Sequence, residues 1–175
     1  MESHNYPIIV IGASAGGIST LRGIIKGLDS PLRAPVCIVQ HTGTQSILDQ
    51  TLSDGDSHKV RFGEEGDPVV PGKIYVAKPG KHVGFEKGHI ALSDAPKEVF
   101  SKPSIDWLFR SAASEFGSRV IAVILTGKLY DGAAGLAAVA KAGGTTLVQD
   151  PKDAAYPDTP RAALAAISVD LPSFR

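Results

Sequence analysis

The chain has 175 residues, and its 18 lysines and arginines balance its 18 aspartates and glutamates. This length predicts a single domain over residues 1–175, and zero net charge without a basic run argues against nucleic acid as a partner. The only cysteine, Cys37, rules out an intrachain disulfide, which is typical of a reducing compartment. The amino terminus has neither a signal-peptide pattern nor a membrane-spanning apolar run, so we expect a cytoplasmic protein that does not cross a membrane.

The first fifty residues alternate between strand and helix patterns. An apolar, β-branched run at 8–13 predicts a strand, and apolar residues at helical spacing predict a helix over about 16–28. An apolar run that ends at Gln40 predicts a second strand at 35–40, covered on both faces, and a helix around 45–53 follows. This βαβα opening predicts a parallel sheet with right-handed crossovers.

The remaining residues carry short strand patterns first and then return to the strand–helix alternation. Alternating runs predict short strands at 59–62, 73–76, 82–85 and 89–92, the last two joined as a hairpin that contains His82 and His89. Further predicted elements are a helix from Ser104 to about Phe116, strands at 119–125 and 145–149, a helix ending near Ala142, a Pro-rich loop at 151–160, a helix at 161–166 and a terminal strand at 167–170. Together these elements predict an α/β fold.

Three polar residues, Ser14, His41 and Asp131, follow three of the predicted parallel strands. Because ligands bind outside the carboxyl ends of such strands, we expect the three side chains to meet at one edge of the sheet. A serine needs a base to act as a nucleophile, histidine accepts and returns protons near neutral pH, and a carboxylate fixes the tautomer of the histidine. This combination is what acyl transfer requires.

Each of these residues also has an ordinary structural interpretation. Ser14 could be a helix N-cap, His41 a polar loop residue, and Asp131 a cap or turn residue before Gly132. The G-A-S-A-G sequence at 12–16 fits the G-x-S-x-G nucleophile turn, and it almost fits the dinucleotide fingerprint G-x-G-x-x-G. A nucleotide-binding domain needs an acidic residue about 20 positions later, where this chain has Gln40.

The chain resembles the catalytic domain of CheB-type protein-glutamate methylesterases over about residues 7–170. The resemblance is carried, in chain order, by IGASAGG (11–17), QH (40–41), KPSID (102–106) and LTGKLYDGAAGL (125–136). It implies a doubly wound, mostly parallel sheet of about seven strands with an antiparallel β-hairpin insertion. It also implies that Ser14 is the nucleophile, His41 the general base and acid, and Asp131 the carboxylate that orients His41.

The activity implied by the resemblance is hydrolysis of glutamyl methyl esters on chemoreceptors, together with deamidation of certain receptor glutamines. The expected partner is therefore a methylated chemoreceptor, and the mechanism needs no cofactor and no metal. The chain has no Cys/His cluster at zinc-binding spacing. In a Ser–His–Asp scheme, backbone N–H groups, here those of Ala15 and Lys128, would hold the oxyanion.

The chain departs from the family pattern at Thr42, where a methionine is usual, and at Lys128, where a second methionine is usual. Lys128 either places a cation beside His41 and Asp131 or extends to solvent over its aliphatic stem, and we favour solvent. The departures leave open a second hypothesis, a catalytically impaired binding module. Because only seven residues precede the first strand, we expect activity that is constitutive, or regulation by a separate response-regulator protein, or a role in another signalling system.

Overall fold

The computed structural model describes residues 5–43, 47–53 and 58–168. The strands within these ranges are β1 (Ile8–Ala13), β2 (Val36–Gln40), β3 (Val60–Phe62), β4 (Ile74–Val76), β5 (His82–Glu86), β6 (His89–Ser93), β7 (Val120–Ile124) and β8 (Thr145–Val148). The helices are α1 (Gly17–Lys26), α2 (Leu48–Leu52), α3 (Ile105–Phe116), α4 (Ala133–Lys141) and α5 (Asp158–Ser168). None of these helices in the described ranges is long and apolar enough to span a membrane.

Six strands form one parallel sheet in the order β3-β4-β2-β1-β7-β8. The chain leaves β1 toward β2 on one side and later places β7 on the other side. The direction of winding therefore reverses at β1, and the carboxyl ends beside a reversal form a crevice in which α/β proteins bind ligands.

The side chains of β1 alternate between two cores, one on each face of the sheet. Ile8 and Val10 pack in the core that α3, α4 and α5 cover, whereas Ile11 and Ala13 pack in the core beneath α1 and α2. This alternation follows from the two-residue period of a strand, and it makes the fold doubly wound.

Cys37, in β2, is fully enclosed by the first of these cores. Burial raises the pKa of its thiol to about 12, although the backbone of Ile38 opposes the shift slightly. The sulfur therefore stays protonated and acts as a small apolar group.

The predicted doubly wound α/β fold with an antiparallel hairpin is confirmed. The parallel sheet has six strands among the described residues rather than about seven, because β5 and β6 pair with each other and form a separate two-stranded sheet. This hairpin packs on α3, where the rings of Phe85 and Phe116 meet edge to face at 5.4 Å between centroids.

The predicted terminal strand at 167–170 is wrong where the structure describes it, because Ile167 and Ser168 end α5. Residues 169 and 170, like residues 45 and 46 of the predicted second helix, lie outside the described ranges. Helix α5 also begins at Asp158 instead of Arg161. Pro160 falls in its first turn, where a backbone N–H would have no helical acceptor, so the proline is compatible with the helix.

A two-residue hairpin between Glu98 and Ser101 has an unusual backbone. Glu98 and Ser101 exchange backbone hydrogen bonds of 3.0 and 2.8 Å, and the central residues Val99 and Phe100 have φ values of +45° and +65°. Turns with two positive φ values favour Asn and Gly, and side chains held in this region cost about 1–3 kcal/mol each. The sequence therefore keeps a strained turn at this position.

Gly135 of α4 lies directly against α3. A Cβ atom at this position would lie 2.7 Å from Cβ of Phe109 and 2.9 Å from Cα of Asp106. The absence of a side chain is therefore what allows α4 to pack against the first turns of α3.

We expect Gly135→Ala to lower the free energy of unfolding by about 1–3 kcal/mol, because the added methyl group overfills this contact. The matched control is Gly23→Ala in α1, where an added Cβ would meet no atom within 4 Å. That substitution should raise the free energy of unfolding by about 0.5–1 kcal/mol. Urea denaturation of both variants measures the two effects, and equal effects would contradict the packing assignment.

Candidate active site

Ser14 lies immediately after β1, in the turn that leads into α1. Its N–H donates to the carbonyl of Thr126 at 3.0 Å, and its carbonyl accepts from the N–H of Gly17 at 2.9 Å. The N-cap of α1 is Gly16, and no side chain caps this helix. The capping interpretation of Ser14 is therefore wrong, and its hydroxyl is available to other partners.

His41 continues directly from β2, and two hydrogen bonds fix its backbone. Its N–H donates to the carbonyl of Ala13 at 3.1 Å, which extends the parallel pairing of β1 with β2 by one residue. The buried amide of Gln40 donates to the carbonyls of both Ser14 and His41, at 2.8 and 2.9 Å. Gln40 therefore ties the two turns together, a role that the sequence did not indicate.

The three predicted site residues form a continuous chain of hydrogen bonds. Nδ1 of His41 lies 3.1 Å from Oγ of Ser14, and Nε2 of His41 lies 2.9 Å from Oδ2 of Asp131. The carboxylate only accepts, so a neutral imidazole carries its proton on Nε2 and leaves Nδ1 free to accept from the serine hydroxyl. The imidazole is 21% exposed, which leaves it accessible from one side.

Asp131 is 3% exposed, and its carboxylate accepts four hydrogen bonds from the described residues. Besides His41, the donors are Oγ of Ser104 at 3.0 Å and the N–H groups of Ile105 and Asp106 at 2.8 and 2.9 Å. Burial raises the pKa of this carboxyl, but the hydrogen bonds from His41, Asp106 and Ile105 outweigh burial and lower the pKa below its usual value. Asp131 is therefore an ionised carboxylate at the start of α3.

Asp131 lies in the turn before α4, as its alternative interpretation allows, but it is not the cap of α4. The N-cap of α4 is Gly132, with no side-chain hydrogen bond. Instead, Asp131 reaches across to the amino terminus of α3, where unpaired N–H groups and the helix dipole favour a negative charge.

Ser104, the N-cap of α3, is a site residue that the sequence interpretation missed. Its hydroxyl donates to Asp131 and accepts from the N–H of Trp107 at 3.2 Å. The only sequence signal for it was its place in the KPSID segment, at the predicted start of a helix.

His82 fixes the backbone of Ser104 through a hydrogen bond from the N–H of Ser104 to its ring. Its Nδ1 accepts from the N–H of Ser104 at 3.1 Å, its Nε2 donates to the carbonyl of Pro96 at 2.9 Å, and its ring stacks on Trp107 at 4.7 Å. The prediction that His82 belongs to the hairpin is confirmed, and its contacts make it a buried support for the start of α3.

Asp106 is a second buried carboxyl beside Asp131. Its Oδ1 accepts from the N–H of Gly135 at 2.6 Å, which ties α3 to α4. Burial raises the pKa of Asp106 to about 6, and the nearby charge of Asp131 adds to this shift, while hydrogen bonds from backbone N–H groups and the charge of Arg110 oppose it.

Lys128 does not approach the carboxylate of Asp131. Its ammonium group lies 4.9 Å from the centroid of the Tyr156 ring, a cation–π distance. It forms no ion pair with any residue that the structure describes. Lys128 is exposed, as the solvent interpretation predicts, but its ammonium rests on the Tyr156 ring, a contact that the sequence did not predict. Thr42 is also exposed.

Two open cavities flank the imidazole of His41. One, of about 630 Å³, runs along Ser14 and the first turn of α1, and its lining includes Ile18 and Arg22. The other, of about 290 Å³, is lined on its far side by the loop at 97–103. In the described ranges, no group of three or more His, Cys, Asp or Glu residues is placed to hold a metal ion.

Comparisons with known proteins agree on one family. The family model described as CheB methylesterase matches residues 9–173. A Leptospira interrogans protein, provisionally named protein-glutamate methylesterase/protein-glutamine glutaminase, is 40% identical, and the match covers 95% of this chain and 88% of that protein. Protein-glutamate methylesterase/protein-glutamine glutaminase 2 of Anaeromyxobacter dehalogenans is 39% identical over 93% of this chain and 48% of its own length.

A solved structure gives the same answer for the fold. The crystal structure of the Thermotoga maritima CheB methylesterase catalytic domain superimposes with a TM-score of 0.87 and 31% sequence identity. The superposition covers 95% of this chain and 91% of that one. Sequence and structure therefore lead to one conclusion: this chain belongs to the CheB methylesterase family.

Proposed function

We propose that this chain hydrolyses the γ-methyl esters of glutamyl side chains in a protein substrate. In this proposal Ser14 is the nucleophile, His41 the general base and acid, and Asp131 the carboxylate that orients His41. The observation that carries the proposal is the unbroken chain from Oγ of Ser14 through both ring nitrogens of His41 to Asp131, with distances of 3.1 and 2.9 Å.

Acylation begins when Nδ1 of His41 takes the proton of the Ser14 hydroxyl and Oγ attacks the ester carbonyl. The imidazolium that forms is stabilised by the ionised carboxylate of Asp131 at Nε2. His41 then donates its new proton to the leaving methoxy group, the C–OCH₃ bond breaks, and methanol departs. The glutamyl group remains as an ester of Ser14.

Deacylation repeats these steps with water as the nucleophile. His41 removes a proton from water, the hydroxide attacks the acyl-enzyme, and Ser14 leaves with the proton that His41 returns. A glutamine side chain follows the same course with ammonia as the leaving group, which accounts for the second activity in the names of the relatives. Each step is an acyl transfer through protein side chains, so the proposed scheme uses no metal and no organic cofactor.

The N–H groups of Ala15 and Lys128 are the proposed donors to the oxyanion. Neither donates a hydrogen bond to any residue in the described ranges. A Cβ built on Gly127 would lie 3.0 Å from Cβ of Ser14, so the backbone before Lys128 runs beside the nucleophile. A donor of this kind contributes about 3–4 kcal/mol to stabilising the transition state.

The proposed physiological substrate is a methylated chemoreceptor, as the family membership suggests.

The first prediction separates catalysis from binding alone. Ser14→Ala and His41→Ala should each lower kcat for ester hydrolysis by at least about a thousandfold, since either change removes part of one catalytic unit. Methanol release from a methylated receptor fragment measures the effect. Equal rates for wild type and Ser14→Ala would contradict the proposal, and wild-type protein that binds the fragment without turnover would favour the impaired binding module.

The second prediction concerns the support of Asp131. Ser104→Ala removes one donor to the carboxylate and the cap of α3. Because a hydrogen bond to a charged group contributes about 1.5–3 kcal/mol, kcat should fall by about tenfold or more while KM stays within about twofold. Steady-state kinetics measure this split, and a change confined to KM would contradict the assigned role.

The third prediction follows from the raised pKa of Asp106. The folded chain binds this proton more tightly than the unfolded chain, so the resulting stabilisation is present below about pH 4 and is lost as the pH rises through about 6. Asp106→Asn keeps an oxygen acceptor for the N–H of Gly135 but carries no charge. The free energy of unfolding of the variant minus that of wild type should therefore increase by about 1–3 kcal/mol between pH 4 and pH 7.

Urea denaturation at four pH values from 4 to 7 measures this difference, and the titrating groups remote from Asp106 cancel because they are common to both proteins. A difference that stays constant with pH would mean that Asp106 is already ionised in the folded state at the acid end of this range.

A further inference from the structure

Phe100 stands on the strained two-residue hairpin described above, and this hairpin is firmly anchored. One terminal nitrogen of Arg110, on α3, donates to both carboxylate oxygens of Glu98, at 2.7 and 2.6 Å. The backbone hydrogen bonds between Glu98 and Ser101 close the turn. Strain of this kind persists where the surrounding structure maintains it, and it often marks functional segments.

The anchored turn holds a large apolar side chain in solvent beside the candidate active site. Phe100 is 76% exposed, the largest exposed fraction among the large apolar side chains in the described ranges. Phe100 lines the cleft of about 290 Å³ that also contains His41, and it lines a second open cavity together with Tyr130. A single exposed aromatic residue is ordinary, but one kept by a strained turn at the rim of a catalytic cleft points to an apolar partner.

The charged residues that line the cavities at this rim are all basic, whereas Glu98 on the same hairpin is paired with Arg110. The three cavities that adjoin Ser14, His41 or Phe100 are lined by Arg22, Lys97 and Lys102, and no aspartate or glutamate lines any of them. The chain as a whole has equal numbers of acidic and basic residues, so this segregation is local. Lys97 is exposed and forms no ion pair with a described residue, which leaves it available to a carboxylate of a partner.

We propose that Phe100 is the docking anchor for an acidic, amphipathic segment of the protein substrate, with Lys97 pairing with its carboxylates. This proposal rests on the proposed esterase function and specifies how the substrate is recognised. Aromatic side chains that fill an apolar contact contribute a large share of binding free energy at protein interfaces, while rim charges steer association and select the partner.

The first experiment compares a protein substrate with a small ester. For Phe100→Ala, the kcat/KM ratio of a methylated chemoreceptor fragment to p-nitrophenyl acetate should fall about tenfold, with the loss in KM for the fragment. The control is Leu147→Ala, since Leu147 is 51% exposed and lines none of the three cavities. An unchanged ratio for Phe100→Ala, or an equal fall for Leu147→Ala, would overturn the proposal.

A second variant tests whether the Phe100 ring or the conformation of the turn is responsible for substrate docking. The double substitution Val99→Asn/Phe100→Gly supplies the residues that a turn with two positive φ values favours. It should raise Tm by about 2–4 °C and should retain the tenfold defect toward the receptor fragment. Phe100→Tyr keeps an aromatic ring and should therefore keep most of the wild-type activity toward the receptor fragment. Recovery of protein-substrate activity in the double variant would show that the turn matters and the ring does not.

A binding measurement keeps the proposal independent of catalysis. In a Ser14→Ala background, adding Phe100→Ala or Lys97→Glu should each weaken binding of the fragment about tenfold, and added salt should reduce only the effect of Lys97→Glu. If wild type hydrolyses neither ester, the esterase proposal fails while this measurement still decides docking. Equal affinities of the Ser14→Ala protein with and without these changes would overturn the docking proposal. A wild-type dimer that Phe100→Ala converts to a monomer would also overturn it, because a second copy of the chain would then cover the ring.

Discussion

The site depends on one buried negative charge, the carboxylate of Asp131, and on the fixed donors that surround it. A carboxylate removed from water is unfavourable unless every lone pair is satisfied. Here a hydroxyl, two backbone N–H groups and an imidazole satisfy it. Since the two N–H groups belong to the first turn of α3, the amino terminus of that helix is the environment in which the charge is stable.

This arrangement couples the fold to the imidazole. Asp131 comes from the loop after β7, His41 from the end of β2, and Ser104 from the start of α3, so one side chain joins three distant parts of the chain. The β5–β6 hairpin supports the same point, because His82 holds the backbone of Ser104. Although the β5–β6 hairpin is separate from the main sheet, it therefore stabilises the amino terminus of α3, which binds the carboxylate of Asp131.

Much of the fold and the meeting of three side chains could be predicted from the sequence. Apolar runs of β-branched residues marked the parallel strands, and the geometry of a parallel sheet brought Ser14, His41 and the Asp131 loop to one edge. The partners of Asp131 could not be predicted, because the direction in which α3 presents its N–H groups is set by tertiary packing. The end of α5 could not be predicted either, because a short apolar–polar alternation does not distinguish a strand from the last turn of a helix.

The buried thiol of Cys37 has a practical consequence for labelling experiments on the dynamics and binding partners of this protein. It is the only sulfhydryl in the sequence, and it is enclosed and protonated at ordinary pH. A cysteine introduced anywhere on the surface would therefore react alone with maleimide dyes or spin labels. Distances to a bound partner could then be recorded by fluorescence or electron resonance without first replacing a native residue.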